Sequence, residues 1–469
     1  KRQLVTQSGY VVRSAKRLMG RRFTEVANNR SSYPFTVVPG DNERAEIQLE
    51  DGRQLPPELV SAHVLIKMRE TAEEFFGEEV DAAVITVPAH FNDSQRTATK
   101  RAAELADLSV LRIINEPTAA ALAYGFGSSD SHRRVAVFDF GGGTFDISIL
   151  EIDGDIFEVL STNGDTDLGG DNIDEVMIEK VMEEITEQTG IDPSGDRMAM
   201  SRIREVAEKV KIELSSLKST QISLPFVVSD ESGPKHYERQ LTRDEFNAWM
   251  EPLFRRLLGP CRQALRDANT SVHGLSDIVL VGGSTRIPRV QEIIQEFFGQ
   301  QPNRSINPDE AVAMGAAVQG GVMRGELAEL LLLDVTPLSL GIELAGGVFK
   351  PLIERNSSIP CEATRKFTTV VDNQKSVLVH VLQGERDQAA HNRSLAKFRL
   401  TGIPAMPKEL PEVEVTFRID ADGILEVSAV DLTSGVTSGV QVEGYGQLAS
   451  MSEKEVERIL EEAKSRRSE

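Results

Sequence analysis

The spacing of hydrophobic residues divides the chain into two regions of different secondary structure. In the first part, continuous apolar runs alternate with stretches in which apolar residues recur at helical spacing. Buried strands are predicted at 82–87, 110–114, 135–138 and 278–281. Long helices are predicted at 59–77, 175–188 and 201–217. Beyond residue 335 strict alternation replaces both patterns, as in Val413, Val415 and Phe417. The sequence therefore predicts an α/β region followed by an antiparallel β-sandwich of about 110 residues.

A glycine-rich turn interrupts the apolar pattern between residues 134 and 149. The incoming strand ends at Asp139, and the alternating pattern resumes after Asp146. Because glycine has no Cβ, the backbone of such a turn can approach a phosphate closely. Asp139 is placed to hold a hydrated Mg²⁺, and Thr144 and Asp146 add a hydroxyl and a second carboxylate. An ordinary glycine-rich hairpin is the alternative, but the acidic residue on each side favours phosphate and metal. The glycines of the turn are Gly141, Gly142 and Gly143.

A second predicted strand also ends in glycines. Two hydroxyl residues, an Arg and Pro288 follow, and proline suits the first turn of a helix because its missing N–H is not needed there. Two strand–glycine turns far apart in one chain predict two lobes that close on one nucleotide. Neither turn has the spacing of a Walker loop or of a Rossmann fingerprint. The candidate residues of this second turn are Gly282, Gly283, Ser284 and Arg286.

Length, charge and cysteine content narrow the class of protein. A chain of 469 residues is too long for one hydrophobic core, so at least two domains are expected. A formal net charge of -21 argues against nonspecific binding to nucleic acid. The two cysteines, Cys261 and Cys361, form no dense framework, which favours a reducing compartment and a cytoplasmic protein. No apolar run approaches the ~20 residues that span a bilayer, so no membrane association is expected.

Six motifs, in order along essentially the whole chain, resemble those of the DnaK-type 70-kDa heat-shock chaperones. They lie at 115–125, 139–146, 282–288, 307–312, 330–340 and 382–386. Among them are Asn115-Glu-Pro-Thr and Asp139-Phe-Gly-Gly-Gly-Thr-Phe-Asp146. The resemblance implies an α/β actin-like (ribonuclease H-like) two-lobed ATPase domain, then an antiparallel β-sandwich peptide-binding domain, then the start of a helical lid.

The resemblance also implies domain boundaries. The ATPase domain would span 1–325, a hydrophobic interdomain linker 326–334, the β-sandwich domain 335–446 and the start of the lid 447–469. The family's opening strands and first phosphate loop have no counterpart here, so we expect an N-terminally incomplete ATPase domain with uncertain activity. By pattern alone, the four leucines at 330–333 could be a buried strand or a linker that docks in one state. The resemblance favours the linker.

For the cleft, the resemblance implies ATP or ADP with Mg²⁺ as ligands. Lys16 matches the family's catalytic lysine, although its basic neighbours alone indicate a solvated patch. Glu116 stands at a strand-to-helix corner, where it could also be a simple cap. With Thr144 and Asp146 it would orient water and metal, while Asp139 would hold Mg²⁺ through water. The residues implied to hold the nucleotide are Gly141, Gly142, Gly143, Glu208, Lys211, Ile212, Ser215, Gly282, Gly283, Ser284, Arg286 and Asp309.

Two of these residue groups have an alternative interpretation. Four of the nucleotide residues, between 208 and 215, share one face of a predicted helix and could form an ordinary solvated stripe. The resemblance further implies a pocket for a short extended apolar peptide, yet these positions could equally be plain β-sandwich core, and at least two are expected to be. The peptide-site residues are Leu340, Ile342, Ala345, Phe367, Val370, Val377 and Val379.

The function implied is an ATP-dependent chaperone for unfolded polypeptides, assisted by a J-domain co-chaperone and a nucleotide exchange factor. A small-molecule kinase with the same nucleotide fold is disfavoured, because a kinase needs no sandwich domain. A catalytically impaired peptide-binding protein is the third class, since the first of the family's phosphate-binding loops has no counterpart in this sequence. The segments 402–407 and 444–446 also favour a runner-up, the paralogue dedicated to iron–sulfur cluster assembly.

Overall fold

The predicted change of secondary structure occurs at the leucine run. The computed structural model describes residues 11–27, 33, 35–126, 132–327 and 330–441. Helices and strands alternate as far as Met323, and in the described residues from Leu331 to Gln441 the regular elements are strands with one short 3-10 turn. We refer to these parts as the α/β region and the strand region. The predicted lid at 447–469 and the segment 444–446 lie outside the described residues.

The α/β region begins with a small antiparallel sheet and a parallel strand pair, both flanked by helices. Its elements are a 3-10 turn (Ala15–Leu18), α1 (Phe23–Val26), β1 (Thr36–Pro39), β2 (Ala45–Gln48), β3 (Gln54–Leu55), α2 (Pro57–Phe76), β4 (Ala82–Val87), α3 (Asp93–Leu105), β5 (Ser109–Asn115) and α4 (Glu116–Gly125). Strands β4 and β5 run parallel with Val87 opposite Asn115, so their carboxyl ends meet. This confirms the strands predicted at 82–87 and 110–114 and brings the start of α3 close to the start of α4.

The rest of the α/β region is built on a larger sheet. Its elements are β6 (Arg133–Phe140), β7 (Phe145–Asp153), β8 (Ile156–Asp165), α5 (Gly170–Thr189), α6 (Arg197–Ser216), β9 (Ser219–Asp230), β10 (Gly233–Thr242), α7 (Arg243–Arg256), α8 (Leu258–Asp267), β11 (Asp277–Val281), a 3-10 turn (Gly283–Arg286), α9 (Pro288–Phe298) and α10 (Ala311–Met323). Successive residues of β6 point to opposite faces, and both faces are buried. Val135 and Val137 pack in the cluster with α4, whereas Ala136 and Phe138 pack with α5 and α6. Burial on both sides explains why these strands are continuous apolar runs.

The two glycine turns lie side by side on this one sheet. Strand β11 pairs in parallel with β6, with Val281 opposite Asp139, so both turns follow the same sheet edge. The two turns are therefore neighbours in space, although they lie far apart in the sequence. The sequence separation of the turns reflects the helices and the β9–β10 hairpin inserted between β8 and β11, and these insertions do not create a second sheet for the second turn.

The leucine run forms a strand that continues the same sheet. The strand β12 (Leu331–Val335) pairs in parallel with β8 and antiparallel with β15 (Ser358–Ile359), giving the order β11-β6-β7-β8-β12-β15. Leu332 packs against the cluster around α4, while half of the surface of Leu331 is exposed. In this structure the predicted linker is thus paired with the α/β region, and its strand ends one residue beyond the predicted boundary.

The strand region consists mainly of two four-stranded antiparallel sheets. Its remaining elements are β13 (Leu340–Leu344), β14 (Val348–Ile353), β16 (Cys361–Thr368), β17 (Ser376–Gln383), β18 (Arg393–Thr401), β19 (Glu412–Ile419), β20 (Leu425–Asp431) and β21 (Thr437–Gln441). The sheet orders are β14-β13-β17-β18 and β16-β19-β20-β21. Residues from both sheets, such as Val381 and Phe417, share one apolar cluster. Alternating apolar residues on each strand therefore face the other sheet.

The strand region contacts the α/β region through polar groups at several places. The Leu425 N–H donates to Asp93 at 3.0 Å, and the Ile113 N–H donates to Asp422 at 3.0 Å. Arg393 forms an ion pair of 2.8 Å with Glu25. These contacts join the β19–β20 turn to α3 and β5, and the start of β18 to α1.

Two helices of the α/β region pack with their backbones in direct contact. Helices α4 and α10 cross where Gly315 faces Ala119. A Cβ on Gly315 would lie 1.7 Å from the Ala119 carbonyl oxygen, so no other side chain fits at this crossing. Since α4 begins at Glu116, the crossing fixes the helix that carries this candidate carboxylate.

Candidate active site

Three predicted carboxylates converge at the ends of separate elements. Asp139 and Asp146 are directly opposite each other across the β6–β7 hairpin, which the glycine turn closes. Glu116 is the first residue of α4, immediately after the buried end of β5. Asp139 and Asp146 are buried, and only 14% of the Glu116 side chain is exposed. The sequence placed these residues in one site, and the structure brings them together.

Lys16 completes this cluster. It lies in the 3-10 turn at 15–18, and its Nζ donates to Glu116 Oε1 at 2.6 Å. Loss of solvation lowers the pKa of the Lys16 ammonium, but the charges of Glu116, Asp139 and Asp146 outweigh this effect and the pKa is raised. About half of the side chain (53%) remains open to the cleft. The ammonium is therefore charged and accessible to an anion.

Both aspartates of the hairpin hold their protons more tightly than usual. Burial raises the pKa of Asp146 to about 7, with the Glu116 charge as the next cause. Burial, followed by the charges of Glu116 and Asp146, likewise raises the pKa of Asp139, although Lys16 opposes the rise. Three carboxylates around one ammonium leave an excess of negative charge in a poorly solvated site. A bound cation would stabilise their ionised forms.

One residue of this cluster was missed by the sequence analysis. The His90 N–H donates to Asp146 Oδ1 at 3.1 Å, and its ring lies beside the same carboxylate. Burial, with the nearby Arg96 charge, lowers the pKa of His90 to about 4, so the ring is neutral at pH 7. The signal was present in the chain order, because His90 follows β4 as Glu116 follows β5. Side chains after parallel neighbouring strands meet at one edge.

The second glycine turn supports the first through short contacts. Ser284 Oγ donates to the Gly141 carbonyl oxygen at 2.8 Å, and the Gly170 N–H at the start of α5 donates to the same oxygen at 3.0 Å. Gly282 has a φ of +84°, and a Cβ there would lie 2.5 Å from the Phe140 carbonyl oxygen. Only glycine allows this approach. The turn around Gly142 and Gly143 is thereby held against the rest of the sheet edge.

A cavity of about 1100 Å³ extends from the glycine turn between α6 and the segment 303–309. Ile212 is 59% exposed on the wall of this cavity, where it offers an apolar surface to a flat ring. Arg286 crosses the opening to form an ion pair of 2.7 Å with Asp309. The predicted nucleotide residues that line the cavity are Gly142, Lys211, Ile212, Ser215, Gly283, Ser284, Arg286 and Asp309.

Two of the predicted residues on α6 are engaged by charged neighbours. Lys211 Nζ lies 2.8 Å from Asp174 Oδ2 while still lining the cavity. Glu208 instead forms an ion pair of 2.7 Å with Arg13 and does not belong to the cavity lining. These contacts join α6 to the start of α5 and to the segment that carries Lys16, so they hold the walls of the cleft.

The corner that carries Glu116 is held by the leucine strand. Asn115 Nδ2 and Thr118 Oγ1 donate to the two carboxylate oxygens of Asp334, at 2.9 and 3.0 Å. Arg96 Nη2 donates to Asn115 Oδ1 at 2.6 Å from the other side. The sequence analysis missed this arrangement, since nothing in the local pattern pairs Asp334 with residues more than 200 positions earlier. Glu116 thus stands between two residues that β12 fixes.

The predicted peptide residues fall into three groups by exposure. Leu340, Ile342 and Val379 are buried in the core between the two sheets. Phe367 and Val377 are partly buried at the edge of the same core. Ala345 is exposed in the β13–β14 turn, and Val370 is 61% exposed beyond β16. The structure therefore exposes some of these seven residues and buries others in the core between the two sheets.

The site fits Mg²⁺ and a nucleotide by its chemistry. Within the described residues, no three His, Cys, Asp or Glu side chains stand as direct metal ligands, and a cation held through water does not need such a group. Asp146 Oδ2 is buried and has no hydrogen-bond partner among the described residues, so it can accept from a metal-bound water. An elongated cleft with an apolar wall at one end and a glycine turn, Lys16 and carboxylates at the other matches a base and its phosphates.

None of the helices in the described ranges is both long enough and apolar enough to cross a bilayer.

Comparison with models of protein families gives a match over the whole chain. The model of the family described as Hsp70 protein matches residues 1–469, the whole chain. Members of this family are ATPases that bind nucleotide and Mg²⁺ and act as chaperones on client polypeptides with co-chaperones. The match includes the cleft with Lys16, Glu116 and the glycine turns, as well as the strand region. The chain therefore belongs to the Hsp70 family.

Proposed function

We propose that this protein is an ATP-dependent molecular chaperone that binds short extended hydrophobic segments of unfolded polypeptides. ATP binding and hydrolysis in the α/β region would control the affinity of the strand region for those segments. A J-domain co-chaperone and a nucleotide exchange factor would be its partners. The observation that carries this proposal is the position of β12, which joins the two regions, pairs with the sheet of the cleft and fixes the corner of Glu116.

The chemistry proposed for the cleft is phosphoryl transfer to water. Lys16 would offset the charge of the transferring group, since its ammonium is both charged and open to the cleft. Glu116 and Asp146 would orient water, and Thr144 would add a hydroxyl at the end of the glycine turn. Mg²⁺, held through water by Asp139, would neutralise phosphate charge. Such reactions depend mainly on positioning and charge stabilisation.

Binding of the nucleoside is assigned to the cavity beyond the glycine turn. Ile212 would contact the base, and Arg286, held by Asp309, would cover its other side. Ser284 and Gly283 would approach the ribose and phosphates from the second turn. Support comes from the single continuous cleft, because Gly142 belongs both to this cavity lining and to the turn between the two aspartates.

Communication between the regions would run through Asp334. Its two carboxylate oxygens accept hydrogen bonds from residues immediately before and two positions after Glu116. Burial raises the pKa of Asp334, but these donors stabilise its ionised form. If β12 left the sheet, Asn115 and Thr118 would lose this acceptor and the Glu116 corner would relax. Release of β12 would therefore change hydrolysis, and nucleotide binding would change the docking of β12.

Peptide binding is assigned to the strand region as a β-sandwich domain. Its edge residues Phe367 and Val377 and the exposed loop residues Ala345 and Val370 would contact an extended apolar segment. Leu340, Ile342 and Val379 would form the floor beneath the peptide, and they reach a client only if the two sheets separate slightly from their packing in this structure. Main-chain hydrogen bonds would make this binding tolerant of sequence.

Peptide release and ATP hydrolysis should therefore depend on each other. We would measure release of a fluorescent leucine-rich peptide with and without ATP, and single-turnover hydrolysis with and without peptide. Asp334→Asn should weaken both effects, because an amide cannot accept both hydrogen bonds as a carboxylate does. Asp153→Asn, at an exposed strand end, is the matched control. Peptide release that is insensitive to ATP in the unsubstituted protein would contradict the proposal.

A further inference from the structure

A serine, a histidine and a glutamate form a hydrogen-bonded chain on the strand region, and none of the three lines the nucleotide cavity. Ser394 Oγ lies 2.8 Å from His380 Nε2, and His380 Nδ1 lies 2.6 Å from Glu343 Oε2. The three residues stand on three neighbouring strands, β13, β17 and β18. None of them belongs to the predicted nucleotide or peptide site.

The sheet register explains why these side chains meet. Ile342 is opposite Val381, so the next residues outward, Glu343 and His380, are neighbours across the β13–β17 pair. Between β17 and β18 the register shifts after Val381, so that Leu382 is opposite Ser394. This shift moves Ser394 towards the His380 ring. Because Val379 and Val381 point into the core, His380 points to the outer face of the sheet.

Donor and acceptor roles in the chain follow from the chemistry of its groups. An ionised glutamate can only accept, so the proton on His380 Nδ1 must be donated to Glu343. In the tautomer that carries its proton on Nδ1, the lone pair of Nε2 faces Ser394, and the serine hydroxyl is then the donor. This order of a carboxylate, an imidazole and a hydroxyl is the arrangement that activates a serine for attack on a carbonyl.

The solvent exposure of these side chains distinguishes the group from a fully buried structural network. Only 12% of the His380 side chain is exposed, whereas 39% of the Glu343 side chain is exposed. Ser394 is partly exposed. The base is therefore held in position by strands on both sides, while Ser394, which it faces, keeps part of its surface exposed to solvent.

We propose that Ser394 is a site of covalent acylation, activated by His380 and Glu343, that accepts acyl groups from activated donors such as aryl esters and thioesters. Ser394 Oγ forms a bond to the carbonyl carbon, and the bond from that carbon to the leaving group breaks. His380 Nε2 takes the hydroxyl proton and passes it to the leaving group. The products are an acylated serine and a free phenol or thiol, with no oxidant or reductant required.

The role of Glu343 is to position the ring. Its hydrogen bond to Nδ1 keeps Nε2 free of a proton and facing Ser394, and its charge stabilises the imidazolium that forms during transfer. Glu343 does not touch the acyl donor. Replacing it with glutamine should preserve the shape of the sheet while weakening the orientation and charge of the ring.

The test is acylation of the full chain by p-nitrophenyl acetate. We expect one equivalent of p-nitrophenolate per chain in a fast phase, with the acetyl group on the peptide that contains Ser394 when the digest is weighed by mass spectrometry. Ser394→Ala should abolish the fast phase. His380→Gln should slow it by about 10²-fold, the lower end of general-base effects, and Glu343→Gln by about tenfold.

Ser376→Ala provides the matched control, because Ser376 lies on the same strand as His380 and its hydroxyl accepts from Arg399 instead. It should leave the fast phase unchanged. Each variant is also melted to check that it is folded. If Ser394 and Ser376 acylate at equal rates in the unsubstituted chain, or if folded Glu343→Gln acylates at the original rate, the group is a cross-strand brace only and the proposal fails.

Discussion

At the scale of single residues, the contact between Lys16 and Glu116 is central to the hydrolysis proposed for this cleft. Its residues come from a 3-10 turn and a helix start that are 100 positions apart, and Nζ and Oε1 lie 2.6 Å from each other. The sequence could identify both residues only through family motifs, since the basic neighbours of Lys16 and the proline after Glu116 have ordinary explanations. The partner of each residue is a tertiary property that no local pattern contains.

Lys16→Ala should slow single-turnover ATP hydrolysis by about 10²–10³-fold, as removal of one transition-state charge donor typically does. Nucleotide affinity should change much less, because the cavity that would hold the nucleoside does not include Lys16. The measurement is quenched-flow hydrolysis beside calorimetric binding. Lys67→Ala removes an exposed ammonium on α2 and should leave both values unchanged. A hydrolysis rate within threefold of the original would remove Lys16 from the mechanism.

Asp93 is a buried carboxylate at the start of α3. The residue before it, Asn92, caps this helix, because its side chain accepts the Gln95 N–H. Asp93 instead accepts the Leu425 N–H from the strand region, and its Oδ2 is buried without a partner among the described residues. Burial raises the pKa of Asp93 to about 7, opposed by that N–H and by Arg96.

This raised pKa gives the interface at Asp93 a defined pH dependence. The docked form keeps a proton that the opened form loses at the ordinary aspartate pKa, so docking is favoured at low pH and weakens as pH rises through about 7. Between about pH 6 and about pH 8 the loss should be about 1.4 kcal/mol, the value of one pKa unit. Nearby charges that shape the titration are Arg96, Asp420 and Arg393.

The measurement for Asp93 is hydrogen exchange of the Leu425 amide, corrected for the intrinsic effect of pH. Protection should fall between these two pH values in the original chain. Asp93→Asn keeps an acceptor for the Leu425 N–H but cannot ionise, so its protection should stay constant. A pH-dependent loss of protection of equal size in this variant would assign the titration to another group.

At the scale of elements, β12 is the segment for which the structure best distinguishes between two interpretations of the sequence. The four leucines were compatible with a buried strand or a docking linker, and the structure shows a strand paired on both sides. Successive side chains of β12 point to opposite faces of the sheet. Leu332 packs against the cluster around α4, whereas Leu331 is half exposed. The strand pattern could not be predicted from a run without alternation, because both neighbours of β12 come from distant segments.

Leu332→Asp should uncouple the two regions, whereas Leu331→Asp on the other face of the same strand should have a smaller effect. Full burial of a leucine contributes about 1.5–3 kcal/mol, and a carboxylate in the place of Leu332 would oppose docking. The measurement is stimulation of ATP hydrolysis by peptide. Equal loss of stimulation in the two variants would show that coupling between the two regions does not depend on which face of β12 is buried in this structure.

The sequence correctly predicted those strands of which both faces are buried. The strands at 82–87 and 278–281 are continuous apolar runs because helices cover both sides of their sheets, and both are confirmed as β4 and β11. The order of strands was not predictable in the same way. The sequence predicted two lobes from the two glycine turns, and only the parallel pairing of β11 with β6 shows that both turns lie at one sheet edge.

At the scale of the whole molecule, the strand region is held to the α/β region by polar contacts close to the segment that carries Lys16. Arg393 at the start of β18 pairs with Glu25 and donates to the Gly20 carbonyl oxygen at 3.0 Å. Gly20 is only four residues after Lys16. A movement of the strand region that withdraws Arg393 would therefore act directly on the segment that carries Lys16, the proposed catalytic lysine.

A charge swap tests this contact. Arg393→Glu and Glu25→Arg should each weaken docking, and the double variant should recover part of it, with a coupling energy of about 0.2–1 kcal/mol as for other accessible pairs. Recovery should be incomplete, because a glutamate at 393 cannot donate to Gly20. Docking is measured by fluorescence transfer between dyes on α2 and β19. Strictly additive single effects would mean that the pair contributes no coupling.

The crossing of α4 and α10 also determines which sequences can encode this cleft. Since a Cβ on Gly315 would overlap the Ala119 carbonyl, a saturation library at position 315 should return only glycine among clones with ATPase activity. Gly320 on the same helix is the comparison, because its nearest neighbour to a Cβ is a Val84 methyl at 3.9 Å and alanine should be accepted there. Survival of several residues at 315 would show that the helices can separate. If only glycine survives at position 315, the absence of a single methyl group there decides whether a variant gene yields a working enzyme.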